Sequence, residues 1–130
     1  MAERKKAGSL SDFQMEIMNI VWDLGDVTVA DVIEQFEAKR PIARSTAQTM
    51  LMRLEERGWL KHDQEGNTFR YSPARDRSNT LKEMVSRMVD TSFKGSAEGL
   101  VLALIDGRGI SDEEAGRIAK LIDDSLEEQK

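Results

Sequence analysis

Apolar positions along the chain alternate between helical and strand spacing, and the alternation predicts its elements. Phe13, Ile17, Ile20, Val21 and Leu24 fall on one helical face, which Met18 and Trp22 widen. Ser11 with Gln14 three residues on has the form of a capping box, and Gly25 is a stop. Val27–Val29 can pair briefly as a strand. Thr28 can cap a second helix with Asp31 in its first turn. That helix runs to about Lys39, buries Val29, Val32, Ile33 and Phe36, and is ended by Pro41.

A third helix is predicted from about Ala43 to Arg57, with Gly58 as its end. Ala47, Met50, Leu51 and Leu54 are spaced to face a core, whereas Ser45, Gln48, Thr49, Met52 and Arg53 lie on the other side. Trp59–Asp63 and Asn67–Ser72 read as two strands around Gln64-Glu65-Gly66-Asn67, a hairpin signal. Beyond Pro73, Leu81, Met84, Val85, Met88 and Val89 form a helical stripe. Gly95 and Gly99 surround a break, and Leu100–Ile105 is a compact apolar, helical segment. Gly107 and Gly109 make a turn, and Ser111 caps a last helix striped by Ala115, Ile118, Leu121, Ile122 and Leu126.

The expected fold is therefore mainly α with a small β-hairpin wing. Residues 1–9 form a flexible basic tail carrying Arg4, Lys5 and Lys6. Residues 10–75 form an N-terminal winged helix-turn-helix domain, and 76–130 a C-terminal three-helix dimerisation domain. About 50 residues in three short helices bury little surface alone. Two interlocked copies would bury these stripes far better, so Leu81, Met84, Val85, Met88, Leu100, Leu104, Ile118, Leu121 and Ile122 are the expected interface of a symmetric dimer.

Composition narrows the chemistry. The chain has no cysteine and one histidine, His62, which leaves little for a metal site or a histidine-based triad. Asp12, Glu16 and Asp112–Glu114 sit at helix starts or on exposed faces, where carboxylates suit the helix dipole. Glu55-Glu56 and Glu127-Glu128 read as solvated surface, and His62 as a surface or packing residue of the wing rather than a ligand. An enzyme is not expected, nor is a cofactor. No apolar run is long enough for a membrane span, so the expected location is the cytoplasm.

The net charge of −5 hides a gradient. Lys39–Arg75 holds eight basic and four acidic side chains, a balance of +4, whereas Asp76–Lys130 carries −4. A basic winged helix points to double-stranded DNA. Gln48 can bond adenine twice, and the methyls of Thr46 and Thr49 can pack on thymine. Ser45 can donate to a base or phosphate, Arg44 and Arg53 can reach phosphate or guanine, and Arg70 on the wing and Arg4–Lys6 of the tail are candidates for backbone or minor-groove contacts. One bidentate contact gives only about 1–3 kcal/mol of discrimination, so two copies of the helix are needed. Two other uses remain open: a protein-docking winged helix, which exposed Met52 would suit, and a small-molecule-responsive regulator.

Four segments together resemble the penicillinase-repressor family, the BlaI/MecI type that also includes copper-responsive repressors. LSDFQMEIMNIVW resembles its opening helix and RSTAQTMLMRLEERGWL its recognition helix. FRYSP resembles its second wing strand, and FKGSAEGLVLALI its dimerisation segment. The resemblance implies a homodimeric repressor on a near-palindromic operator, with two winged helices one helical turn apart. It places DNA contacts at Ser45, Thr46, Gln48, Thr49 and Arg53 and implies intertwined C-terminal helices. The cysteine cluster of the copper branch is missing. The penicillinase branch is cut by a regulatory protease at an Asn-Phe bond, and the matching position here is Ala103-Leu104.

Overall fold

The computed structural model describes residues 9–129, so the basic tail expected over 1–9 falls outside it except for Ser9. In chain order come α1 (Asp12–Leu24), α2 (Val29–Glu37), α3 (Arg44–Glu56), β1 (Leu60–Glu65), β2 (Thr68–Pro73), α4 (Arg77–Ser92), α5 (Ala97–Gly107) and α6 (Asp112–Glu128). The chain divides into two compact units within α4, the first running to Leu81 and the second starting at Lys82.

Local chemistry sets the boundaries of the first unit. Ser11 Oγ accepts from the Gln14 amide at 3.1 Å while the Ser11 amide donates to Gln14 Oε1 at 3.0 Å, so the capping box closes in both directions. Thr28 and Asp31 repeat the exchange at the start of α2. α1 stops at Gly25, whose φ of +87° suits a residue without a side chain. α2 ends at Glu37, short of the expected Lys39, because the Phe36 carbonyl accepts from both the Lys39 and Arg40 amides and tightens the chain.

The core joins Ile17, Met18 and Val21 of α1, Val32 and Phe36 of α2, and Ala47, Leu51 and Leu54 of α3. Val27, Trp59, Leu60 and Tyr71 close it. Ten of these side chains are essentially fully buried, Phe36 and Tyr71 the largest among them. A Leu or Val so placed contributes about 1.5–3 kcal/mol relative to exposure. Met50, expected in the core, is half-buried and packs against it. Leu24 departs from its predicted role: as the last residue of α1, beside the chain reversal at Gly25, it is 51% exposed.

β1 and β2 pair antiparallel from Leu60↔Pro73 to Glu65↔Thr68, leaving Gly66-Asn67 as a two-residue loop. β1 thus reaches two residues further toward the turn than the expected Asp63 and β2 is shifted one residue along the chain, since glycine at φ +60° turns the chain in a two-residue loop. Of Val27–Val29 only Val27 pairs, exchanging both backbone hydrogen bonds with Tyr71 at 2.8 and 2.7 Å, while Val29 already begins α2. The start of α4 is anchored to α1. Trp22 Nε1 donates to the Arg75 carbonyl at 2.9 Å, and Arg77 donates to Asp23 at 2.7 Å. Asp76 caps the helix by accepting from the Asn79 amide.

The second unit is helical throughout. Its break lies at Lys94-Gly95, both at positive φ, after which Ser96 caps α5 by accepting from the Gly99 amide at 2.8 Å. Gly99 and Gly107 are therefore helical rather than the turn residues they were read as. Ser111 caps α6 as expected, accepting from the Glu114 amide. From Lys82 onward no described side chain is buried. Met84, Val85, Met88, Leu104, Leu121 and Ile122 are between 39% and 68% exposed.

Candidate nucleic-acid interface

At about 100° per residue, α3 presents two opposed faces. Ala47, Leu51 and Leu54 point inward and are fully buried. On the opposite side Ser45, Thr49, Met52 and Glu56 form one row within about 60° of arc. Gln48 and Arg44 flank this row on one side, Arg53 and Thr46 on the other, and all eight side chains are exposed. Among the described residues, Ser45, Thr46, Gln48 and Thr49 make no side-chain hydrogen bond, and Arg44 and Arg53 have no ion pair. The sequence-predicted base- and phosphate-facing groups of α3 thus share one surface and are free to meet a ligand.

The helix start is open as well. Ala43 is its N-cap and supplies no side-chain acceptor. The first amides of α3 keep their hydrogen-bonding capacity, at the end of the helix where anions are favoured.

The basic stretch is less free than its count suggests. Arg40 donates to Glu16 at 2.8 Å and lies over the rings of Phe13 and Phe36. Arg57 donates to Gln14 at 3.0 Å and to the Ser9 carbonyl at 2.8 Å, which ties the end of α3 to the start of α1. Arg75 covers Trp59 and donates to the Gly58 carbonyl. Arg70 donates to Asp26 at 2.7 Å and to Glu65 at 2.8 Å. The Asp26 hydrogen bond, then the Glu65 one and the charge of both, raise its pKa further, so it is held as a cation already matched by two anions. Lys39, Arg44, Arg53 and Lys61 remain without an acidic partner among the described residues.

The wing carries a contact that the sequence reading missed. His62 Nδ1 lies 2.7 Å from both carboxylate oxygens of Glu55. An ionised carboxylate only accepts, so Nδ1 carries the proton. The imidazole also stacks on Phe69, with ring centroids 4.2 Å apart and planes 14° from parallel. Glu55 is thus not solvated surface: it braces β1 against the last turn of α3. Glu16 departs from the surface reading in the same way, through Arg40. Burial, then the charge of Glu55, raises the pKa of Tyr71. Glu55 and His62 stand on either side of the turn at Gly58, and the course of that turn, which runs β1 back along the end of α3, brings them together.

No described helix is long and apolar enough to cross a membrane. Among the described residues no group of three His, Cys, Asp or Glu could hold a metal ion.

The profile of one known family, the penicillinase repressor, matches residues 10–124. The chain belongs to the penicillinase repressor family. Among relatives of this penicillinase repressor family member, the penicillinase repressor of Bacillus licheniformis is 26% identical over 126 residues, covering 97% of this chain and 98% of the relative. The methicillin resistance regulatory protein MecI of Mammaliicoccus sciuri is 21% identical over 117 residues, covering 90% and 95%. A solved structure of the DNA binding domain of the repressor BlaI is 35% identical, with a TM-score of 0.52. It covers 58% of this chain and 92% of that one. The first unit of this penicillinase repressor family member is thus a winged helix, with α3 as its third helix and β1–β2 as the wing.

Proposed function

We propose that the chain is a homodimeric, sequence-specific DNA-binding transcriptional repressor acting on a near-palindromic operator. The observation that carries this reading is the outward face of α3. Ser45, Thr46, Gln48 and Thr49 offer hydrogen bonds and methyls matched to the major groove. Arg44 and Arg53 stand beside them with no acidic partner among the described residues. Lys39 and Lys61 would add phosphate contacts. Arg70 ranks below them, because a phosphate would have to compete with Asp26 and Glu65. The names of the relatives, penicillinase repressor and BlaI among them, support the same role, and it requires neither catalysis nor a cofactor.

The dimer rests on the second unit. From Lys82 onward its three helical segments bury no described side chain and expose apolar faces at Met84, Val85, Met88, Leu104, Leu121 and Ile122. Leu81, Leu100 and Ile118 continue these faces, and a second copy is the partner of matching chemistry. A regulatory protease that cut α5 near Ala103-Leu104 would divide that surface and return each recognition helix to weak, single-headed binding.

The test is fluorescence anisotropy of the full chain on its own promoter region and on scrambled DNA, across a salt series. Salt-steep binding that prefers the promoter and saturates at two chains per site is the expected result. Equal, weak binding to both, together with no enriched site in a selection from random DNA, would overturn the reading.

A further inference from the structure

Met52 sits where a base-reading side chain would sit, and its chemistry permits one kind of reading. It lies in the central outward row of α3, about 140° from Ala47, about 160° from Leu54 and about 100° from Leu51 at 100° per residue. It is 48% exposed, whereas Met50, two residues earlier, packs against the core. No core role explains an apolar side chain at that place. A thioether donates no hydrogen bond and accepts only weakly. It therefore cannot pair with the polar edges that Gln48 or Ser45 could address. The thymine C5-methyl is the apolar feature a standard base shows in the major groove. Methionine is flexible and polarisable enough to settle on it.

The spacing fits. From Ser45 to Met52 the helix rises about 10.5 Å, roughly three base steps of 3.4 Å. Thr49 lies about 4.5 Å before Met52 along the axis, and Glu56 about 6 Å beyond it. Met52 is thus the last uncharged position of the row before a carboxylate that phosphates repel. We propose that Met52 is a specificity-determining residue that packs on a thymine methyl one to two base pairs from the site of Gln48. The inference rests on the proposed DNA reading by α3 and assigns that face a further contact.

The test replaces each thymine of an operator by deoxyuridine, which removes the methyl and leaves the pairing intact. Full-length protein selects the operator from random duplexes, and anisotropy then measures wild type and Met52→Ala on every substituted duplex. One thymine per half-site should weaken wild type about fourfold when its methyl is removed, the effect of losing one buried carbon. The same substitution should leave Met52→Ala unchanged, while the variant keeps its salt dependence. A wild type indifferent to every methyl overturns the proposal. So does a Met52→Ala variant that responds as wild type does at every methyl-sensitive thymine, because Thr46 and Thr49 would then account for them all. Failure to select any site would instead overturn the base reading on which the proposal rests.

Discussion

Arg53→Ala, set against Arg70→Ala, tests whether ion pairing within the fold decides which cations serve DNA. Arg53 is exposed on α3 and has no acidic partner among the described residues, whereas Arg70 already donates to Asp26 and Glu65. Each phosphate contact adds about 0.9 to the slope of log affinity against log salt. In a dimer Arg53→Ala removes two contacts, so the slope should fall by about 1.8. Between about 50 and 200 mM salt, wild type should then lose about twelvefold more affinity than the variant. Arg70→Ala should leave the slope near that of wild type, because bringing Arg70 to DNA would strip two carboxylates of their partner. The assay is anisotropy on one operator duplex at five or more salt concentrations. An unchanged slope for Arg53→Ala, or a drop for Arg70→Ala matching that expected at Arg53, would refute the reasoning.

Gln48→Ala should weaken binding to the operator by about 1–3 kcal/mol and leave random DNA nearly unaffected. Equal loss on both would remove Gln48 from base reading. Leu81→Asp combined with Val85→Asp should give monomers at low micromolar concentration in sedimentation velocity, and a persisting dimer would move the interface elsewhere. The raised pKa of Tyr71 means that its buried, neutral form favours the folded state. That contribution is complete below the unfolded tyrosine value of about 10 and is lost as pH rises through the folded one. Thermal melts from pH 9 to 11 should show wild type losing stability faster than Tyr71→Phe; parallel losses would contradict this.

The backbone plan was legible because caps and apolar spacing mark it locally. Ser11 with Gln14, Thr28 with Asp31, Ser111 with Glu114 and Gly25 each set a boundary within a few residues of sequence. The outward face of α3 was legible for the same reason, since Ala47, Leu51 and Leu54 fix the inward side. Pairings between distant elements were not. Arg57 meets Gln14 and Ser9, and Arg70 meets Asp26, across forty or more positions, and no periodicity reports such a meeting. Charge counting therefore entered Arg40, Arg57, Arg70 and Arg75 in the basic balance with no sign that each also holds a partner within the fold. Gly99 misled for a different reason: the cost of a glycine within a helix is only about 1 kcal/mol, and the Ser96 cap helps offset it.

The bare apolar faces of the second unit also bear on gene dosage. If association completes the fold of α4–α6, the amount of assembled protein rises with the square of chain concentration while copies are scarce. A modest fall in synthesis, as when a growing cell dilutes its contents, would then empty the target site disproportionately. Such a switch would sharpen with no ligand pocket, because the number of chains is itself the signal.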